Sequence, residues 1–185
     1  MLEVEMKFPV ADAAEIENRL GRLGAGEPAA RLESDLYFNS PDRDFARTDE
    51  ALRLRRIGRT NIVTYKGPKR DKQTKTRSEI EVVLAEGDLA AERFTRLIQS
   101  LGYTATAEVS KRRRIYHLHR DSFHVEICLD EVRDVGVYVE LEIVAREEHE
   151  EQAKTVVQHL ALELGLTASE RRSYLELLLT ARGAK

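Results

Sequence analysis

Val137-Tyr138-Val139-Glu140-Leu141-Glu142-Ile143 sets an aliphatic residue at every odd position and two carboxylates between them. A period of two is the signature of a β-strand, with the aliphatic side chains on one face and Glu140 and Glu142 on the other. Leu2-Glu3-Val4-Glu5-Met6-Lys7-Phe8 repeats the pattern near the other end of the chain. Six further segments read as strands. Leu36 and Phe38 fall in a short one. Leu52 and Leu54 alternate with Arg53 and Arg55, running on toward Ile57. Val63 and Tyr65 alternate with Thr64 and Lys66, and Ile80 and Val82 with Glu79 and Glu81. An Arg-rich stretch over 109–117 is poorly patterned. Phe123, Val125, Ile127 and Leu129 alternate with His124, Glu126, Cys128 and Asp130.

Four segments have helical spacing. Residues 11–23 carry Ile16, Leu20 and Leu23, with Gly24 as the stop. Asp88 is expected to cap a helix that runs to Leu101 and ends at Gly102. A third helix spans 147–164, stopped near Gly165, and its acidic start, Glu147-Glu148-His149-Glu150-Glu151, suits a helix N-terminus. The last spans 169–181, with Ser169 as expected N-cap and Leu175, Leu178 and Leu179 apolar. Long loops are expected at 39–49 and 67–76, the second holding Lys69, Arg70, Lys72 and Lys75 and read as mobile. No Gly/Ser linker or fixed-period repeat divides the chain, so residues 1–185 are read as one domain.

The composition narrows the class. The 185 residues include 30 Lys and Arg against 33 Asp and Glu, a formal net charge of −3. Charged residues are 34% of the chain, above the usual quarter, yet they nearly cancel. That balance argues against a general nucleic-acid coat, which is basic overall. The single cysteine, Cys128, excludes an intrachain disulfide or multi-Cys metal site and fits a reducing, cytoplasmic setting. No apolar run is long enough for a membrane span, and no secretory leader is read at Met1.

The charged strand faces carry the functional signal. Alternation groups Glu3, Glu5 and Lys7; Arg53 and Arg55; Lys66; Arg77, Glu79 and Glu81; Lys111 and Arg113; Glu126 and Asp130; Glu140 and Glu142. Taken alone, such faces read as solvated surface. Two features oppose that. The Glu-x-Glu pairs set like charges together, which costs stability unless a cation sits between them. The other face is apolar and four helices are available to cover it. An eight-stranded antiparallel closed β-barrel with helices packed outside, an α+β fold, turns the charges inward. One like-charged pair at 4 Å costs on the order of 4 kcal/mol at an effective dielectric of about 20. A polyanion bridged to a divalent metal offsets that cost. Lys and Arg suit phosphate oxygens, and paired carboxylates with phosphate suit Mg²⁺ or Mn²⁺.

The ordered series Glu3-Val4-Glu5-Met6-Lys7, Ala51-Leu52-Arg53-Leu54-Arg55, Thr64-Tyr65-Lys66-Gly67-Pro68, Arg77-Ser78-Glu79-Ile80-Glu81, Lys111-Arg112-Arg113, Leu129-Asp130-Glu131-Val132 and Glu140-Leu141-Glu142 resembles the CYTH, or triphosphate tunnel metalloenzyme, superfamily over residues 1–145. Ser40-Pro41-Asp42-Arg43-Asp44-Phe45, Tyr65-Lys66-Gly67-Pro68 and the Leu129–Val132 stretch before Gly136 are most similar to class IV adenylyl cyclases. The resemblance implies that Lys7, Arg53, Arg55, Lys66, Lys111 and Arg113 hold the triphosphate and carry catalysis. It places Arg77, Glu79 and Glu81 in the substrate lumen. It gives Glu3, Glu5, Glu140 and Glu142 to metal ions, Mg²⁺ or Mn²⁺, with Asp130 near them. Ser78 stands where a charged residue is expected, on the parity that faces away from the lumen.

The activity implied first is conversion of ATP to 3′,5′-cyclic AMP and pyrophosphate. Hydrolysis of inorganic or thiamine triphosphate comes next, and a non-enzymatic polyphosphate-binding module last. The expected partner is a nucleoside or inorganic triphosphate, with neither nucleic acid nor membrane, and a homodimer is left open. Other residues read more plainly. Cys128 shares the parity of Glu126 and Asp130 and reads as a packed thiol rather than a nucleophile. In Lys111-Arg112-Arg113-Arg114 alternation sends Arg112 and Arg114 away from the lumen. His117 and His119 have a metal-compatible strand spacing, but the sequence shows no third ligand, and His149 and His159 lie on a helix.

Overall fold

The structure is a computed structural model describing residues 2–68 and 77–183, so Lys69, Arg70, Lys72 and Lys75 lie outside the described residues. In chain order it contains β1 (Leu2–Pro9), α1 (Ala13–Arg22), β2 (Ala29–Asn39), α2 (Phe45–Thr48), β3 (Ala51–Ile57), β4 (Thr60–Lys66), β5 (Glu79–Val83), α3 (Asp88–Ser100), β6 (Thr104–Arg120), β7 (Phe123–Val132), β8 (Gly136–Ala145), α4 (Glu150–Glu163) and α5 (Tyr174–Ala181). The strands form one antiparallel sheet in the order β1-β8-β7-β6-β2-β3-β4-β5.

The expected closed barrel is an open, curled half-barrel. Among the described residues the edge strands β1 and β5 share no ladder, and one isolated bridge joins Glu3 to Arg77, just before β5. The strand at this edge, β5, is short and lightly packed. It has five residues, all paired to β4, and its outward Ile80 and Val82 are exposed rather than packed.

The ladder registers give every strand the parity that alternation predicts. Lys7 lies opposite Glu140, Glu5 opposite Glu142, Arg113 opposite Asp130, Glu33 opposite Lys111, Asp35 opposite Arg55, and Lys66 opposite Glu79. The concave face is therefore charged and the convex face apolar. Val4, Phe8, Ile127, Leu129, Val139, Leu141 and Ile143 pack on the convex side beneath α1 and α4, burying Ile16, Leu20, Val157 and Leu160. Phe38 and Leu54 pack beneath α3, against Ala91 and Ile98.

The helix ends follow local chemistry. Asp12 caps α1, accepting from the backbone N–H groups of Ala14 and Glu15 at 2.9 and 3.2 Å. Asp88 proves to be the first residue of α3, preceded by Gly87 at φ +91°, not its cap. The cap of α5 is Ser173, not Ser169: Ser173 and Glu176 form a reciprocal capping box. Gly165, just beyond α4, has φ +68°, and a Cβ there would fall 1.9 Å from Nη1 of Arg19, which donates to the Leu164 carbonyl at 2.8 Å. The positive φ is what favours glycine there; the Arg19 guanidinium is the far end of a flexible side chain that could move aside.

One helix departs from the expected layering. α5 packs on the concave face, not outside, and buries Tyr174, Leu177 and Leu178 against Tyr37, Val109, Val132 and Tyr138. All four of those strand residues have inward parity. At this end the lumen is apolar rather than charged, and that patch is what the helix covers. Among the described residues no helix is long and apolar enough to cross a membrane.

Candidate active site

The concave face encloses a cavity of about 350 Å³. Its lining brings together Glu3, Glu5, Lys7, Arg53, Arg55, Lys66, Arg77, Glu79, Glu81, Lys111, Arg113, Glu140 and Glu142, residues from β1, β3, β4, β6 and β8 and from β5 and its approach. Asp130 is not among them. It lies behind the lining, fully buried, and accepts from Arg113 at 2.8 and 2.6 Å, Lys111 at 3.2 Å and the Tyr174 hydroxyl at 2.9 Å.

Asp130 belongs to a rear layer of carboxylates that hold the basic side chains in place. Asp35 takes a bidentate pair from Arg55, both contacts 2.7 Å, and a longer one from Arg53 at 3.4 Å. Glu33 pairs with Arg55 at 3.1 Å and Lys111 at 3.3 Å. Burial alone would push both carboxyls upward. The surrounding cations outweigh it: Lys111, Arg55 and Arg113 hold Glu33 at about 2. Arg53 and Arg55 hold Asp35 far below the usual carboxylate range. Arg113, desolvated but set against Asp130 and Glu140, is raised well above its ordinary value and is permanently charged.

Lys7 is 1% exposed; its ammonium donates to the Arg172 carbonyl and sits 4.1 Å from the Tyr174 ring centroid. On the opposite wall Lys66 pairs with Glu79 and lies 3.9 Å from Glu3, while Arg77 reaches Glu79 at 3.6 Å. Thr64 donates to Glu81 at 3.0 Å. Strand parity thus places the cations and their counter-ions on two walls facing one space.

Between the walls three carboxylates converge. Oxygens of Glu3, Glu5 and Glu142 lie within 4.8 Å of one another. Burial and the neighbouring Glu3, Glu140 and Glu5 raise the Glu142 carboxyl well above its ordinary value, against the opposing pull of Arg113. Glu3 is raised by burial, Glu79 and Glu5, against Lys66 and Arg53. A hard divalent cation takes oxygen donors and relieves such repulsion, so this donor set fits Mg²⁺ or Mn²⁺. Glu140 is committed differently, to Arg113.

Cys128 is buried, and its thiol donates to Glu126 at 3.4 Å. Burial, reinforced by Glu142, Asp130 and Glu126, raises it well above its ordinary value, so it is a protonated packing group rather than a nucleophile, as expected of a small buried thiol.

The residues that sequence reasoning missed are on β2 and α5. Glu33 and Asp35 were outside the short strand read around Leu36 and Phe38, although Arg31-Leu32-Glu33-Ser34-Asp35-Leu36 carries a usable alternation. Tyr174, which joins Asp130 to α5, left no comparable signal, because its helix reads as an outer one.

Residues 1–174 match the family described as CYTH domain. The chain is 35% identical to a protein of Methanocaldococcus jannaschii named putative adenylate cyclase, over 96% of this chain and 98% of that one. It is 31% identical to adenylate cyclase CyaB of Aeromonas hydrophila, over 93% of this chain and 86% of that one. A solved Pyrococcus horikoshii structure superposes with a TM-score of 0.84 at 36% identity, covering 96% of this chain and 98% of that chain.

Proposed function

The chain belongs to the CYTH domain family, and from that premise we propose that it is a metal-dependent adenylate cyclase that converts ATP to 3′,5′-cyclic AMP and pyrophosphate. The observation that carries this reading is the pairing of two basic walls with a three-carboxylate cluster in one cavity. The names of the M. jannaschii and A. hydrophila relatives favour the cyclase over other triphosphate chemistry.

In this reading Arg53, Arg55, Lys66, Lys111 and Arg113 bind the phosphate oxygens. The rear carboxylates hold the head groups of Arg53, Arg55, Lys111 and Arg113 in position before substrate arrives, so little reorganisation is needed on binding. Glu3, Glu5 and Glu142 would hold the divalent ion, which when bound supplies Lewis-acid activation of the attacking oxygen. The ribose 3′-oxygen bonds to the α-phosphorus as the bond to the pyrophosphate bridging oxygen breaks, and the hydroxyl proton is released to solvent. The five basic side chains then face the negative charge that builds on the leaving group.

The test is product resolution. With Mg²⁺ or Mn²⁺, ATP should yield a cyclic nucleotide and pyrophosphate without ADP. Tripolyphosphate should compete with ATP and be cleaved slowly or not at all, since it offers no 3′-hydroxyl. ADP and orthophosphate as the only products from ATP would overturn the cyclase in favour of a triphosphatase.

A further inference from the structure

His117, His119 and His124 form a cluster with no part in the triphosphate reading. The β6–β7 register sets His119 directly opposite His124 and His117 opposite Glu126. All three histidines project from the concave face, at the end of the half-barrel away from α5. The His117 and His124 ring centroids are 4.8 Å apart with planes at 29°, and those of His119 and His124 are 5.1 Å apart at 65°. The third ligand that the His117-x-His119 spacing lacks is thus supplied by the neighbouring strand.

We infer that the end of the β6–β7 hairpin is a second metal site, selective for a borderline transition-metal ion such as Zn²⁺, Ni²⁺ or Cu²⁺, with His117, His119 and His124 as its ligands. Imidazole nitrogen suits these ions, whereas Mg²⁺ and Mn²⁺ favour the oxygen donors of the carboxylate cluster. Three histidines leave a fourth position for water or for Glu126, the residue facing His117. The rings as placed stack rather than converge. All three side chains are exposed, which leaves room for the χ rotations that would turn their nitrogens toward one ion.

The hairpin site also adjoins the cavity. Glu126 lies opposite Glu142 in the β7–β8 ladder, and donor atoms of Glu126, Cys128 and Glu142 come within 4.8 Å of one another. The row His117, Glu126, Glu142 therefore runs across three strands from the histidines to the carboxylate cluster.

The experiment titrates the intact protein with Zn²⁺ against a chromophoric chelator, in excess Mg²⁺ to occupy the carboxylates. One Zn²⁺ per chain is expected. His117→Ala and His124→Ala should each weaken binding by about 10- to 100-fold or more, the range that even outer-shell changes cost a metal site. Glu142→Gln should leave it unchanged. Cu²⁺ bound in place of Zn²⁺ should show nitrogen couplings by electron paramagnetic resonance that diminish in His124→Ala. The metal-free melting temperatures of both histidine variants should match the parent, since these side chains are exposed. Stoichiometric Zn²⁺ that is lost in Glu142→Gln but retained in His124→Ala would overturn the site, as would the absence of binding in the presence of Mg²⁺.

Discussion

Glu142 and Asp35 are both buried carboxylates, and their surroundings drive them in opposite directions. Around Glu142, burial and three other carboxylates favour the neutral form. Above the usual carboxylate range the unfolded chain has released this proton while the folded chain retains it, so folding is penalised as pH rises. Glu142→Gln removes that penalty and one metal ligand together. Its metal-dependent turnover should be lost, while its metal-free melting temperature at neutral pH should equal or exceed the parent's. A large fall in that melting temperature would show that Glu142 supports the fold. Asp35→Ala should do the reverse. It strips Arg55 of a bidentate partner inside the protein, and breaking a buried pair from one side costs about 3–5 kcal/mol. Arg112, on the opposite parity and exposed, should change stability by less than about 0.5 kcal/mol when replaced by Ala. Chemical denaturation of the two variants separates buried pairing from surface charge.

At the level of elements, Ser173 caps α5 by accepting from the Glu176 N–H at 3.1 Å. Ser173→Ala should cost about 1 kcal/mol and loosen the segment that supplies the Lys7 acceptor, lowering substrate affinity together with the melting temperature. The strands were legible because alternation is local: β1, β7 and β8 can be read residue by residue, and parity taken over all the strands sorts most of the charged lining. β2 was read as too short because Ala29 to Ser34 mixes Leu32 with polar neighbours, and Leu32 is in fact exposed. The placement of α5 was illegible for a different reason. Its apolar stripe would suit either face of the sheet. What decides is the inward patch of Tyr37, Val109, Val132 and Tyr138, drawn from four strands, which exists only once the registers are set. Curvature was also out of reach, since whether β5 meets β1 depends on packing that a strand pattern does not encode.

For the whole molecule, the two kinds of carboxylate produce a stability curve with two limbs. Glu33, held at about 2 when folded and near 4.5 when free, adds stability above 4.5 that disappears as the pH falls from there toward 2, and Asp35 acts in the same direction. Glu3 and Glu142 have raised folded values, so their contribution is present below the ordinary carboxylate value and is lost as pH rises beyond it. The metal-free protein should therefore melt highest in mildly acid solution, and Mg²⁺ or Mn²⁺ should raise the melting temperature more at neutral pH than at pH 5. Calorimetry across pH, with and without the ion, checks both limbs, and an ion effect independent of pH would refute the assignment of the carboxylate cluster. The seam between β1 and β5 bears on traffic. A sealed cylinder has to be threaded end-first, like a needle. Here the Glu3–Arg77 bridge is the one backbone pairing across the seam among the described residues, so the seam works as a hasp rather than a weld. Parting it leaves every ladder intact. Among the described residues the site is a trough, and in the proposed reading a phosphate chain is laid into it from the side rather than threaded.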